Sequence, residues 1–219
     1  MGVREAREQV AVVVRRLAAE GLVLGTAGNV SQRVDDRVAV TPTGAVLADL
    51  EATDVSVVDL DGRQLEGPLA PTSELDLHLG AINRHSCGAV VHTHAPMSTA
   101  AACVLDELPC VHYAMLALGG DVPVAPYTTF GTPELAESVV AALEGRTAAL
   151  MASHGAVTVG ADAAAAMELA LLLEWAATVY LNAAKAGTPH VMDQDERTAV
   201  IEAVLARGYG STKPAEGEA

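Results

Sequence analysis

Basic residues are scarce in this sequence. Thirteen Lys and Arg stand against 28 Asp and Glu in 219 residues, a formal charge of −15. Nucleic acid and anionic membrane surfaces both need a positive footprint, so neither is expected as a partner. Cysteine is scarce too. Cys87, Cys103 and Cys110 are odd in number and form no CxxC, which argues against a disulfide framework and a thiolate zinc cage and fits a reducing cytosol. The opening MGVREAREQV lacks the apolar segment of an export signal. The longest apolar stretch, Ala163 to Ala184, is interrupted by Glu168 and Glu174. Carboxylates are costly in a bilayer, so it reads as a buried helix of a soluble, cytoplasmic protein. Internal repeats and linkers are absent, and GTAGN follows a helical segment and does not match GxGxxG, which disfavours a dinucleotide fold.

What is present is enough apolar material for a core: 51% of residues are apolar and 19% charged. One domain over residues 1–210 is expected, followed by a polar, disordered tail at 211–219. Val3, Ala6, Val10, Val13, Val14 and Leu17 form a helical stripe that closes at Gly21. Two hairpins follow, Val30–Val34 with Arg37–Thr41, and Val55–Leu60 with Arg63–Leu65 around Asp61-Gly62. A helix is expected from Ser73, with Ser73 as N-cap and Asp76 completing a capping box. Gly88–Val91 and Thr147–Ser153 read as buried strands, and Ala156–Gly160 as one more. Helices are expected after Pro96, after Thr132-Pro133 (Thr132 capping), over Ala161–Ala186 and over Glu196–Arg207. The expected fold is α/β, a single domain with a central, mostly antiparallel sheet flanked by helices.

His92 and His94 form an HxH pair at the end of an apolar strand. Residues two apart project to one face, where two imidazoles can share a metal, although two surface or capped histidines would produce the same pattern. His154 strengthens the metal reading, because it too follows a buried strand and precedes a glycine. Three neutral imidazoles with a fourth position open are the ligand set of a catalytic zinc site. Glu74 lies near the start of the Ser73 helix, where the helix dipole alone would favour it. His78, four residues on, shares its face and reads as a supporting or packing histidine more readily than a fourth ligand. His85, His112 and His190 carry only weak cues. The loops Gly25–Asn29, Thr41–Gly44 and Thr72–Ser73 contain no Lys or Arg. They offer backbone N–H groups and hydroxyls that suit a phosphate, and equally read as ordinary turns.

The ordered set GTAGNVS (Gly25–Ser31), TPTG (Thr41–Gly44), TSE (Thr72–Glu74), AVVHTHA (Ala89–Ala95), HY (His112-Tyr113), APYTTFGT (Ala125–Thr132), HG (His154-Gly155) and YG (Tyr209-Gly210) resembles the zinc-dependent class II sugar-phosphate aldolases, especially the L-fuculose-phosphate aldolases. The resemblance implies one Zn2+ on His92, His94 and His154, with Glu74 as the acid/base. It places the substrate phosphate on Gly28, Asn29, Thr43, Gly44, Thr72 and Ser73, where the family has two serines in place of Thr72-Ser73. Tyr113 matches a tyrosine that enters a neighbouring subunit's site in a C4 homotetramer, and Tyr209 a tail tyrosine near the aldehyde pocket. The chemistry implied is reversible cleavage of a ketose 1-phosphate to dihydroxyacetone phosphate and a short aldehyde, without a lysine Schiff base. Sugar-phosphate 4-epimerases and a methylthioribulose-phosphate dehydratase share the resemblance. The epimerases tend to carry Asp at the position of Glu74, and the adducin head, a binding module, lacks the zinc histidines.

Overall fold

The first apolar stripe folds as expected. In the computed structural model, which describes residues 1–207, α1 spans Val3–Ala19 and buries Ala6, Val10, Val13, Val14 and Leu17. Strands β1 (Asn29–Val34) and β2 (Arg37–Val40) form the first hairpin, with Asp35 in the left-handed region at φ 54°. Strands β3 (Ser56–Asp59) and β4 (Gln64–Glu66) form the second, turning at Gly62 with φ 87°. Then come α2 (Leu75–His85), β5 (Ala89–Thr93), α3 (Pro96–Val104), β6 (Glu107–Leu108), β7 (Val122–Ala125), α4 (Pro133–Ala142), β8 (Ala148–Met151), β9 (Gly155–Gly160), α5 (Ala163–Ala186) and α6 (Gln194–Arg207).

The strands make a nine-stranded sheet in the order β4-β3-β2-β1-β5-β9-β8-β7-β6. Each neighbouring pair is antiparallel except β7 with β8. The sheet is therefore mixed but dominated by antiparallel pairing, within a single α/β domain. Helices cover both faces. Val10, Val14 and Leu17 of α1 pack with Val30, Val91 and Met167 on one side. Leu77 and Ile82 of α2 and Leu135 and Val139 of α4 pack with Val58, Val90 and Val157 on the other. Adjacent Val90 and Val91 serve opposite cores, which is why β5 is apolar at successive positions instead of alternating.

Helix α5 lies across β9, β5 and α3. One carboxylate that interrupts its apolar run, Glu174, accepts from the backbone N–H groups of Met97 and Ser98 at 2.8 and 2.7 Å, so it caps α3 from outside. The other, Glu168, pairs with Arg16 at 3.0 Å on the surface. Helix α6 has no buried residue and is held by the two-pronged pair of Arg197 with Asp121, at 2.6 and 2.8 Å.

The start of α2 and the strands β6 and β7 depart from expectation. The Ser73 capping box does not form: α2 begins one residue later, with Glu74 in the N-cap position and no side-chain cap. The hydroxyl of Thr72 accepts from the Glu74 N–H at 3.3 Å, while Ser73 is exposed. The segment Tyr113–Leu118 is a 3-10 helix, started by His112 Nδ1 accepting from Ala114 N–H and stopped at Gly119 with φ 98°. Strands β6 and β7 are additions, short enough to escape a periodicity reading.

Candidate metal centre and active-site cleft

The sheet register brings the candidate residues together. Asn29 on β1 stands directly opposite His92 on β5, and His92 opposite Val157 on β9. His94 lies two residues past His92, and the β8–β9 turn delivers His154 from the next pair of strands. Ser153 adopts φ 54° to make that turn. Two glycines permit the approach. A Cβ on Gly155 would collide with the Thr93 carbonyl oxygen, and a Cβ on Gly28, at φ 99°, would meet the His92 carbonyl oxygen at 2.9 Å.

His92, His94 and His154 offer ligand nitrogens that all lie within 4.8 Å of one another. The Nε2 atoms of His92 and His94 are 2.9 Å apart. His92 Nδ1 lies 3.0 Å from the carbonyl oxygen of Ala156, which can only accept, so Nδ1 carries the hydrogen and Nε2 presents a lone pair. Glu74 completes the cluster, with Oε2 3.3 Å from His92 Nε2 and Oε1 3.6 Å from His154 Nε2. Burial lowers the pKa of His94 to about 4, assisted by His92 and His154 and opposed by Glu74. His154 is lowered by burial, with His92 adding to it. For Glu74, burial acts upward, but His92, the Asn29 hydrogen bond, His154 and His78 together bring its pKa below the ordinary value. At neutral pH His94 and His154 are thus neutral imidazoles beside one carboxylate.

That donor set fits a divalent cation. Three nitrogens at 2.0–2.1 Å from one ion in tetrahedral geometry stand about 3.3 Å apart, a modest adjustment from the spacing here. Glu74 Oε1 is buried without a hydrogen-bond partner, a state that a cation beside it would relieve.

The cluster opens into a cleft of about 380 Å³. Gly28, Asn29, Thr43, Gly44, Thr72 and Ser73 line it together with Glu74, His94 and His154, and among the described residues no Lys or Arg does. His92 itself is fully buried behind them. Paired bonds hold the two hydroxyl-bearing loops side by side: Thr43 N–H donates to Ala70 and Thr72 N–H to Thr41, each at 3.0 Å. Those two N–H groups are therefore already engaged. Thr43 and Ser73 are exposed and bring their hydroxyls to the cleft wall, whereas Thr72 presents a hydroxyl that already accepts from Glu74 N–H.

His78 is fully buried, and burial, followed by His92, lowers its pKa to about 3 against the opposing pull of Glu74. It bonds to Asn29 and Ser31 and does not join the three-histidine cluster. His85 bonds to the Val140 carbonyl at 2.9 Å and exposed His190 pairs with Glu196 at 2.9 Å, so neither belongs to the cleft. Tyr113 lies outside this cleft in its own chain. It lines a separate apolar groove with Leu172 and, from α6, Val200, Ile201, Val204 and Leu205. Tyr209 lies outside the described residues. The sequence reading missed Tyr127 and Phe130, exposed by 69% and 70% on the opposite wall of the cleft. Their sequence signals were an aromatic pair in a chain with six aromatic residues in all, one Phe, one Trp and four Tyr, and their place in the APYTTFGT segment of the resemblance.

Residues 8–181 match the model of the Class II Aldolase and Adducin N-terminal domain family. The chain belongs to this family. It is 39% identical over 202 residues to a 5-methylthioribulose-1-phosphate/5-deoxyribulose-1-phosphate aldolase of Rhodospirillum rubrum, covering 91% of each chain. It is 39% identical over 183 residues to the L-fuculose phosphate aldolase of Escherichia coli K12, covering 83% of this chain and 85% of that one. Among solved structures, an L-fuculose 1-phosphate aldolase superposes with a TM-score of 0.86 at 31% identity, covering 92% of this chain and 96% of the other. The chain is accordingly an enzyme of the class II aldolase family, a metal-dependent class, and its histidine cluster is the place that could hold the metal.

Proposed function

We propose that this class II aldolase cleaves a ketose 1-phosphate reversibly to dihydroxyacetone phosphate and a short aldehyde, with Zn2+ on His92, His94 and His154. The observation that carries the reading is Glu74, a buried carboxylate against two of the three imidazoles and at the foot of a cleft walled by hydroxyls. A bound zinc ion would act as a Lewis acid on the ketose carbonyl, which is why a lysine is not needed. The residues of the chain do the rest. Gly28, Asn29, Thr43, Gly44, Thr72 and Ser73 hold the phosphate through neutral donors, the available equipment in a cleft that no Lys or Arg lines among the described residues. Phosphate held there orients the ketose so that C3 faces Glu74. When the C3–C4 bond breaks, Glu74 delivers a proton to C3, and in the condensation direction it removes that proton. Tyr127 and Phe130 provide the opposite wall with an aromatic surface for the aldehyde end.

Tyr113 is assigned to the cleft of a neighbouring subunit in a C4 homotetramer, where its hydroxyl exchanges a proton with the C4 oxygen, and Tyr209 to the aldehyde end. A soluble, cytoplasmic enzyme without nucleic-acid or membrane partners fits the acidic charge. Glu74 favours aldol cleavage over epimerisation, given the aspartate that epimerases of this resemblance tend to carry. The test is to incubate the zinc-loaded protein with L-fuculose 1-phosphate, 5-deoxyribulose 1-phosphate and 5-methylthioribulose 1-phosphate. Release of dihydroxyacetone phosphate supports the reading. Loss of water or inversion at C4 without that product would assign the dehydratase or the epimerase instead.

A further inference from the structure

Behind Glu74 lies a buried chain of polar side chains, of which the phosphate assignment uses Asn29 and neither assignment uses Ser31 or His78. Asn29 and Ser31 are two apart on β1 and face the same side of the sheet, where His78 of α2 meets them both. Ser31 and His78 are fully buried and Asn29 nearly so. Ser31 Oγ lies 2.7 Å from His78 Nδ1, His78 Nε2 is hydrogen-bonded to Asn29 Oδ1, and Asn29 Nδ2 donates to Glu74 Oε2 at 2.9 Å. The direction of each bond is fixed from the far end. A carboxylate accepts only, so the Asn29 amide must turn its NH2 toward Glu74. That leaves the Asn29 oxygen facing His78, whose Nε2 must then carry the hydrogen. A neutral ring has one N–H, so Nδ1 is bare and accepts from the Ser31 hydroxyl. With the amide reversed, an oxygen would face the carboxylate and an NH2 group would face the ring N–H.

We propose that His78 is a positioning residue for the aldolase reaction, its Nε2–H locking the Asn29 amide so that Nδ2 holds the Glu74 carboxylate against the histidine cluster. His78 touches neither metal nor substrate in this account and acts wholly through Asn29. The Ser31 hydroxyl, which can donate or accept, completes the chain by donating to the bare Nδ1. Glu74 sits at the N-cap position of α2 with no side-chain cap, so apart from the histidines its carboxylate has Asn29 as its one hydrogen-bond donor among the described residues. Freed from it, the carboxylate can turn away from the angle needed to reach C3, and misorientation costs turnover more than binding. The proposal rests on Glu74 serving as the acid/base of the proposed reaction.

The deciding comparison is His78→Gln against His78→Asn, with zinc content, KM and kcat for dihydroxyacetone phosphate release measured on each. A Gln amide reaches the position of Nε2 and can donate to Asn29, whereas an Asn amide reaches only the position of Nδ1. Hydrogen bonds to charged groups contribute about 1.5–3 kcal/mol, so kcat of His78→Asn should fall about 10- to 100-fold, with zinc and KM close to wild type. His78→Gln should recover most of that loss. His78→Leu should match His78→Asn in the wild-type background and cost little in an Asn29→Ala background, because the group it acts through is already gone. If His78→Leu does not fold, the Gln and Asn pair decides alone. Equal kcat for those two variants, or an undiminished His78→Leu loss in the Asn29→Ala background, would overturn the proposal. A wild-type enzyme that releases no dihydroxyacetone phosphate from any of the three ketose phosphates would instead overturn the aldolase reading.

Discussion

The Nε2 atoms of His92 and His94 face each other across 2.9 Å, and the hydrogen of His92 is committed to the Ala156 carbonyl on the far side of the ring. Two lone pairs cannot share that space, so the gap calls for a proton or a cation. The protein stripped of metal should therefore take up about one zinc ion per chain, and its unfolding midpoint should rise. At a hundredfold excess over Kd the stabilisation is about 2.7 kcal/mol. Calorimetric titration with zinc checks this, and His94→Ala should abolish both the uptake and the shift.

Glu74→Gln keeps the size and polarity of the side chain and removes its capacity to exchange a proton. Zinc should stay bound while kcat falls roughly 10²–10⁴-fold. Wild-type turnover in this variant would show that the reaction needs neither the charge of Glu74 nor its proton exchange.

Much of the fold was legible because its signals are local. Asp61-Gly62 marks a hairpin whatever surrounds it, and Thr132-Pro133 caps and opens a helix by its own geometry, with Thr132 Oγ1 accepting from Leu135 N–H at 3.3 Å. The three histidines were legible because His92 lies at the end of a buried strand and His94 and His154 just past one. Ser73 misled because two hydroxyls compete at the start of α2 and the backbone of Glu74 chose Thr72. The run Tyr113–Leu118 has apolar density that suits a strand, but the His112 bond to Ala114 N–H and the backbone bonds Met115 to His112 and Gly119 to Leu116 make it a 3-10 helix. The contacts of His78 with Asn29 and Ser31 needed the packing of α2 against β1, which no local pattern carries.

The phosphate assignment predicts a split between binding and chemistry. Ser73 is exposed on the cleft wall and makes no hydrogen bond that holds α2, so Ser73→Ala should leave stability and zinc content unchanged. KM for the phosphorylated ketose should rise about tenfold, the scale of one hydrogen bond to a charged group. An unchanged KM would remove Ser73 from the phosphate site.

Buried His78 gives the metal-free protein a pH-dependent stability. Its folded pKa of about 3 lies below the ordinary value of 6.5, so below pH 6.5 the unfolded chain takes up a proton that the folded chain refuses. The contribution is complete above pH 6.5 and is lost as pH falls toward the folded value, by about 1.4 kcal/mol per pH unit for each such ring. His94, at about 4, acts in the same direction. Urea unfolding in the presence of chelator should therefore weaken steadily from pH 6.5 to 5. His78→Gln should show the slope reduced by one proton.

Tyr113 provides a test of the assembly. It lies outside its own cleft, so its proposed proton transfer to the C4 oxygen requires a neighbouring subunit. Tyr113→Phe should keep the oligomer and the zinc while slowing carbon–carbon cleavage about tenfold or more. Mixing the impaired Tyr113→Phe and Glu74→Gln subunits should give more activity than either alone, because some sites then receive both intact groups.

The central claim is metal-assisted aldol cleavage at the His92–His94–His154 centre. Its most direct test is the release of dihydroxyacetone phosphate from a ketose 1-phosphate, followed before chelation, after chelation and after zinc is restored. The account predicts product in the first sample, none in the second and recovery in the third, with His92→Ala inactive throughout. Cleavage that persists in the chelated, zinc-free protein would contradict it.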